Sequence, residues 1–259
     1  MPTQTQPRSA AKHYALSALI ARRAAREARR VAKGAPLANV AAVATVVATH
    51  QIVTARASQL AVAEMLAEQE IDSIADAMLN LLAFTTEPQA LTRMVAATDT
   101  DAEFERMVES IVQDAARAAE SVSVTVRPDI WHIRYVNPPC CSRCAVLAGR
   151  VYRFSDGFDR HPNCDCSMIP TTVAAPFAQS PSDLVEQGLV TDLSKADRKA
   201  IQDGADISQV VNVRRRAAGL REPGRVLARG GRPTPEGIYR MTADRVEAVS
   251  LLRKFGYIT

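Results

Sequence analysis

All five cysteines of this 259-residue chain fall in one window of 27 residues, Cys140 to Cys166. They read Cys140-Cys141-Ser142-Arg143-Cys144 and, after a short loop, His161-Pro162-Asn163-Cys164-Asp165-Cys166. One of only four histidines lies there too. Two residues between Cys141 and Cys144 make a turn that aims both thiolates at one ion. His161 with Cys164 or Cys166 supplies the other half of a tetrahedron, the donor set that zinc prefers in closed structural sites. The favoured ligands are Cys141, Cys144, His161 and Cys166, with Cys164 the alternative fourth ligand. Cys140 precedes the turn and is the spare. An odd cysteine count fits a disulfide framework poorly. A redox CxxC would follow a strand and open a helix, a pattern not seen here.

Composition brings in the rest of the fold. The chain is 47% hydrophobic, with few aromatics and abundant alanine, which favours helices with small side chains. The expected fold class is mainly α with a small β-containing zinc-stapled module (α+β) and long N-terminal helices. Four regions are expected: a basic N-terminal arm or helix over 1–34, a helical domain over 35–120, a β-rich metal-binding module over 121–172, and a C-terminal helical region with a basic Gly/Pro/Arg loop over 173–259. A module with so small a core needs a staple, and zinc supplies ~10–16 kcal/mol in comparable sites.

Net charge is only +4, but it is segregated. Residues 1–34 hold eight basic residues against Glu27, a net +7; residues 72–120 hold ten acids against three arginines, a net −7. Such polarity points to an oriented contact with an anionic partner, or to self-association of unlike ends. Arg22, Arg26, Arg29, Arg30 and Lys33 recur at steps of three and four, which stacks them on one helix face. Arg225 and Arg229 lie in a second basic stretch, residues 219–237. Both are candidate contacts for DNA phosphate or an acidic partner. No apolar h-region follows the basic start. The most apolar run, Val40 to Val53, is shorter than the ~20 residues of a membrane span. The expectation is a soluble protein from a reducing cytoplasm, with no membrane partner.

Along the chain, a helix is expected from about Ser9 to Lys33, broken by Gly34 and Pro36. A very long one follows from Leu37 to Ile71, its first half apolar nearly all round and therefore expected to be buried. His50 is read there as a packing residue. The helical pattern continues over 72–84 through Ile74, Met78 and Leu82. Thr98 to Asp101 offers caps for the cleanest amphipathic helix, with Phe104, Met107, Val108, Ile111, Val112 and Ala115 on one face. Val122, Val124 and Val126 alternate with polar residues and predict a strand, as does 130–136. Val151 to Phe154 predicts a third strand after a turn at Gly149. Ser194 to Asp197 reads as a helix cap. Helices are further expected over 183–188, 206–216 and 242–255, the last with Val246, Val249 and Leu252 inward.

The cysteine window also carries a resemblance. Cys141-x-x-Cys144-Ala-x-Leu147-x-Gly149-x-x-Tyr152, then Phe158-x-x-His161-Pro162-Asn163-Cys164-Asp165-Cys166 and Pro170, resembles the signature of phage head morphogenesis proteins. These are the MuF-like minor head proteins of tailed bacteriophages. Trp131 suits the family, and the run from Ala200 to Asn212 resembles its actinobacteriophage members. The resemblance implies a minor capsid protein in the virion, made in the host cytoplasm. It would contact the portal protein, and also the major capsid protein and packaged DNA, in several copies around the portal. Some relatives are labelled capsid maturation proteases. This chain has neither a GxSxG elbow nor an HExxH motif. A zinc-stabilised DNA-binding protein is the third reading. It is weakened because no basic helix lies between the ligand pairs.

Overall fold

The computed structural model describes residues 6–75, 77–127, 129–153, 166–172, 177–213, 233 and 235–255. Among them the protein is mainly α, with one small sheet. Helices α1 (Arg8–Ala32), α2 (Val40–Glu68) and α4 (Asp101–Thr125) pack on one another. A short α3 (Pro88–Ala96) lies against α2 and α4. Alanine is what lets them approach: Ala21, Ala24, Ala25, Ala28 and Ala32 of α1 are buried against Val43, Val47, Val108 and Val112. The N-terminal basic segment is thus a full member of the bundle rather than a separate arm.

Several ends of these helices have an identifiable cause. Glu68, at the end of α2, accepts the Arg8 and Ser9 N–H groups at 2.7 and 2.8 Å and so caps α1 from another helix. Helix α1 stops at Lys33, whose left-handed φ of 50° is followed by Gly34. Thr100 caps α4 through the Glu103 N–H, while Glu103 accepts the Asp99 N–H, as the run of capping residues predicts. Phe104, Val108, Val112 and Ala115 are buried as the periodicity of α4 requires.

Three sequence expectations are corrected. Residues 122–125 are not a strand: α4 continues through Thr125, burying Ser123 and Val124 and leaving Val122 largely exposed. The boundary expected at 121 therefore falls inside a helix. Residues 72–84 are not a continuous helix. Glu70 adopts φ 57°, and the Ile71 N–H closes back on the Leu66 carbonyl at 2.9 Å. This left-handed stop ends α2. The described residues beyond are irregular until a single 3-10 turn, Leu81–Phe84. The first half of α2 is buried on one face only, and Ala41, Ala42, Thr45, Thr49 and Val53 remain exposed. By length and composition alone α2 could cross a membrane, yet its inner face is packed on α1 and α4.

The sheet has the order β2-β1-β3, antiparallel throughout. Strand β1 (Trp131–Tyr135) lies where 130–136 was expected. A single helical turn, α5 (Ser142–Ala145), carries the first cysteine group. Strand β2 (Val151–Tyr152) follows the Gly149 turn, and β3 (Ser167–Thr171) follows the second cysteine group. Ile133 pairs with Ile169, and both pack on Ala10, Ala61 and Met65 of the bundle. Phe154 lies outside the described residues.

Beyond the sheet come α6 (Pro181–Glu186), α7 (Lys195–Gln202), α8 (Ile207–Asn212), α9 (Pro235–Met241) and α10 (Arg245–Lys254). The capping box at Ser194 and Asp197 forms as the sequence suggests. In α10 Leu252 is buried, but Val246 is 79% exposed and not inward. Helix α9 begins in a stretch read from composition as loop.

Candidate metal centre

The cysteine loop is held by its backbone. Cys140 donates its N–H to the Leu189 carbonyl and accepts from the Thr191 N–H, both at 2.9 Å. This bridges it to Val190 in a parallel sense. Asp192 accepts from the Ser142 N–H at 2.6 Å and from its hydroxyl at 2.9 Å. Cys141 then opens α5, with the Cys144 N–H on the Cys141 carbonyl at 3.1 Å; the CxxC thus does follow a strand, β1, and open a helical turn, an order the sequence did not suggest. Gly149 ends the loop at φ 66°, its N–H on the Arg134 carbonyl at 2.8 Å.

Cys140, Cys144 and Cys166 are buried in one hydrophobic cluster with Val136, Leu184 and Val190, and Cys141 packs on its edge. All four are thiols and none is in a disulfide. Burial, with Cys141 and Asp192 close by, pushes the Cys140 thiol up to about 11. Arg134 of β1 reaches Cys166. Burial opposes its charge, but the Cys166 sulfur and the Tyr152 hydroxyl beside it outweigh this and raise its pKa. An N–H donor on sulfur is the kind of partner that orients a metal-bound thiolate. His132 stacks on Tyr152 with ring centroids 5.4 Å apart, and Arg153 lies over Trp131.

Of the expected ligands, the structure gathers Cys141, Cys144 and Cys166 into one core region. His161 and Cys164 lie outside the described residues. Among the described residues, no three His, Cys, Asp or Glu side chains converge closely enough to hold a metal ion. Three of the four favoured ligands are described, and by themselves they do not form a metal site.

The basic candidates divide. Arg29 is taken up within the chain, bonded to Asp101 at 2.9 Å and Glu105 at 2.8 Å on α4. The two oppositely charged segments thus meet on the surface of the bundle, where α1 packs on α4. Arg22, Arg26, Arg30 and Lys33 are exposed and make no ion pair among the described residues. Arg225 and Arg229 lie outside the described residues. His50 is a packing residue, its Nδ1 donating to the Val46 carbonyl at 2.9 Å.

One polar cluster had no sequence signal. His13 and Glu120 are both buried, with Nε2 and Oε1 2.5 Å apart, and Ser58 and Ser17 lie 3.3 and 3.4 Å from the same nitrogen. Its members come from three helices, 107 residues apart at the widest, so no local spacing could announce them. A cavity of about 30 Å³ beside this pair is also lined by Tyr14, Arg117 and Cys166. That is room for one or two waters.

No protein-family model, curated protein or solved structure matches the chain.

Proposed function

We propose that this protein is a minor head protein of a tailed bacteriophage, a structural adaptor at the portal vertex whose central sheet is stapled by zinc. The reading rests on the resemblance of residues 130–172 to the MuF-like signature. The observation that supports it is that Cys140, Cys144 and Cys166, all thiols, share one core cluster with Cys141 at its edge, the first group lying on a loop clamped by Asp192 and Leu189. Cys141, Cys144, His161 and Cys166 would hold the zinc, with Cys164 the alternative to Cys166. Cys140, whose burial makes its thiol harder to ionise, suits the residue left over. The ion's contribution is cohesion: it ties the cysteine loop to the start of β3. In this reading the protein is not an enzyme. Its exposed arginines on α1, with the basic stretch that holds Arg225 and Arg229, meet acidic protein or packaged DNA.

The test is co-expression with the portal protein of the same phage. Co-purification of the two on a sizing column, lost in the Cys144→Ser variant, supports the adaptor. Clean separation of the two wild-type proteins at low and physiological salt contradicts it.

A further inference from the structure

The irregular segment after α2 and the outer seam between α1 and α2 are two uncovered apolar surfaces of opposite charge. In the segment, Ile74 is 83% exposed, Met78 81% and Leu82 67%. Large apolar side chains are seldom this bare in a run, and an exposed apolar patch marks an interaction site. Their spacing of four is that of a helix face, though the chain is irregular here. The segment is tethered at both ends. Ile71 packs under α2 with Leu66 and Val124, and Thr86 donates its N–H to Gln51 at 2.8 Å. Gln51 in turn donates to the Ile111 carbonyl of α4. Both tethers therefore sit on the α2–α4 side of the bundle.

The seam lies on the other side. Helices α1 and α2 run antiparallel, with His13 against Ser58 and Glu27 near His50. Leu16 and Leu19 are three apart on α1, and Val53 and Leu60 are seven apart on α2, so each pair forms a stripe. These four leucine and valine side chains are 41–51% exposed. Exposed Lys12, Arg23 and Arg56 lie one turn from them, against one exposed acid, Glu64, one turn beyond Leu60. The segment, by contrast, is flanked by the exposed acids Glu70 and Asp72.

We infer that a second copy of this chain covers these surfaces: the 71–84 segment of one copy docks on the α1–α2 seam of the next. Apolar side chains meet in the middle and opposite charges meet at the rim, which sets the orientation. The helical spacing of Ile74, Met78 and Leu82 is used on docking, when the segment gains the neighbours it lacks in the single chain. The two surfaces are different patches, so the contact is head to tail. Each added copy leaves one segment and one seam open, and assembly proceeds to a ring or an open chain rather than stopping at two.

The experiment is sedimentation velocity on the full chain across a concentration series, with Met78→Asp in the segment and Leu60→Asp in the seam. Both side chains are at least half exposed, so both variants keep the wild-type circular dichroism and melting curve. Wild type gains mass with concentration beyond the dimer; each variant alone loses that gain and sediments as a monomer. Mixed, the two variants form a dimer and nothing larger, because Met78→Asp keeps its seam and Leu60→Asp keeps its segment. A wild type that stays monomeric throughout overturns the inference, as does self-association that neither variant impairs. A mixture that remains monomeric rules out the head-to-tail pairing. Wild-type monomers that join the portal protein, where both variants fail to, also overturn it and give these surfaces to the portal instead.

Discussion

Gly149 and Gly188 share a left-handed backbone, at φ 66° and 71°, but not a neighbourhood. A Cβ at Gly188 meets nothing within 4 Å. A Cβ at Gly149 would lie 2.2 Å from the Gln179 carbonyl oxygen and 2.8 Å from its nitrogen, a position no atom can occupy. Gln179 is itself engaged. Its side chain accepts the Val136 N–H at 2.6 Å and donates to the Val136 carbonyl at 2.9 Å, securing the chain between β1 and the cysteine loop. Alanine at either glycine incurs about 1–2 kcal/mol for the left-handed conformation. Stiffening of the unfolded chain offsets roughly 0.4–1 kcal/mol of this. At Gly149 the Gln179 segment must also move away. Losing its two hydrogen bonds adds about 1–3 kcal/mol at ~0.5–1.5 each. Gly149→Ala should therefore be less stable than Gly188→Ala by about 1–3 kcal/mol in urea unfolding with unchanged slope. Equal costs, within about 0.5 kcal/mol, would refute the close approach of these two segments.

Three further predictions follow from particular contacts. Glu68→Gln removes the charged cap of α1 and should cost about 1 kcal/mol at neutral pH. The Ser9 hydroxyl and N–H hold the Glu68 carboxyl below its usual range, so its contribution is present above that range and lost as pH falls through the lowered value. The variant should accordingly lose less stability than wild type on acidification, as read by thermal melts from pH 7 to pH 3. His13→Ala leaves the buried Glu120 carboxyl without this hydrogen bond and should destabilise by about 1–3 kcal/mol, whereas the paired change to two leucines should recover most of it; chemical denaturation of wild type and the two variants decides. Cys141→Ser or Cys144→Ser should release metal and lower the melting temperature, while Cys140→Ser should do neither. The reverse pattern would place the ligand register one residue earlier.

The amphipathic face of α4 and the cap at Ser194 were legible because each is settled within a few residues. The stop of α2 was not, since the left-handed position that ends it is taken by Glu70 and no glycine marks it. Val122 to Val126 look like a strand by alternation and β-branching. They are helical because Val124 must reach Val62, Leu66 and Met168, contacts spread over more than a hundred residues. The same limit hid Asp192 and Arg134. The cysteine spacing pointed to a candidate site, but the groups that clamp and face the cysteines come from β1 and from the 189–192 loop. The charge segregation was plain in the sequence, but its partial neutralisation by Arg29 needed the packing of α1 on α4.

The most direct test of the zinc-stapled adaptor is elemental analysis of the purified full chain, with thermal unfolding before and after chelation. About one zinc per chain is expected, the stoichiometry of a closed four-ligand site. Chelation should remove the ion and lower the melting temperature. A metal-free protein with five titratable thiols, and a melting curve indifferent to the chelator, would contradict the zinc staple.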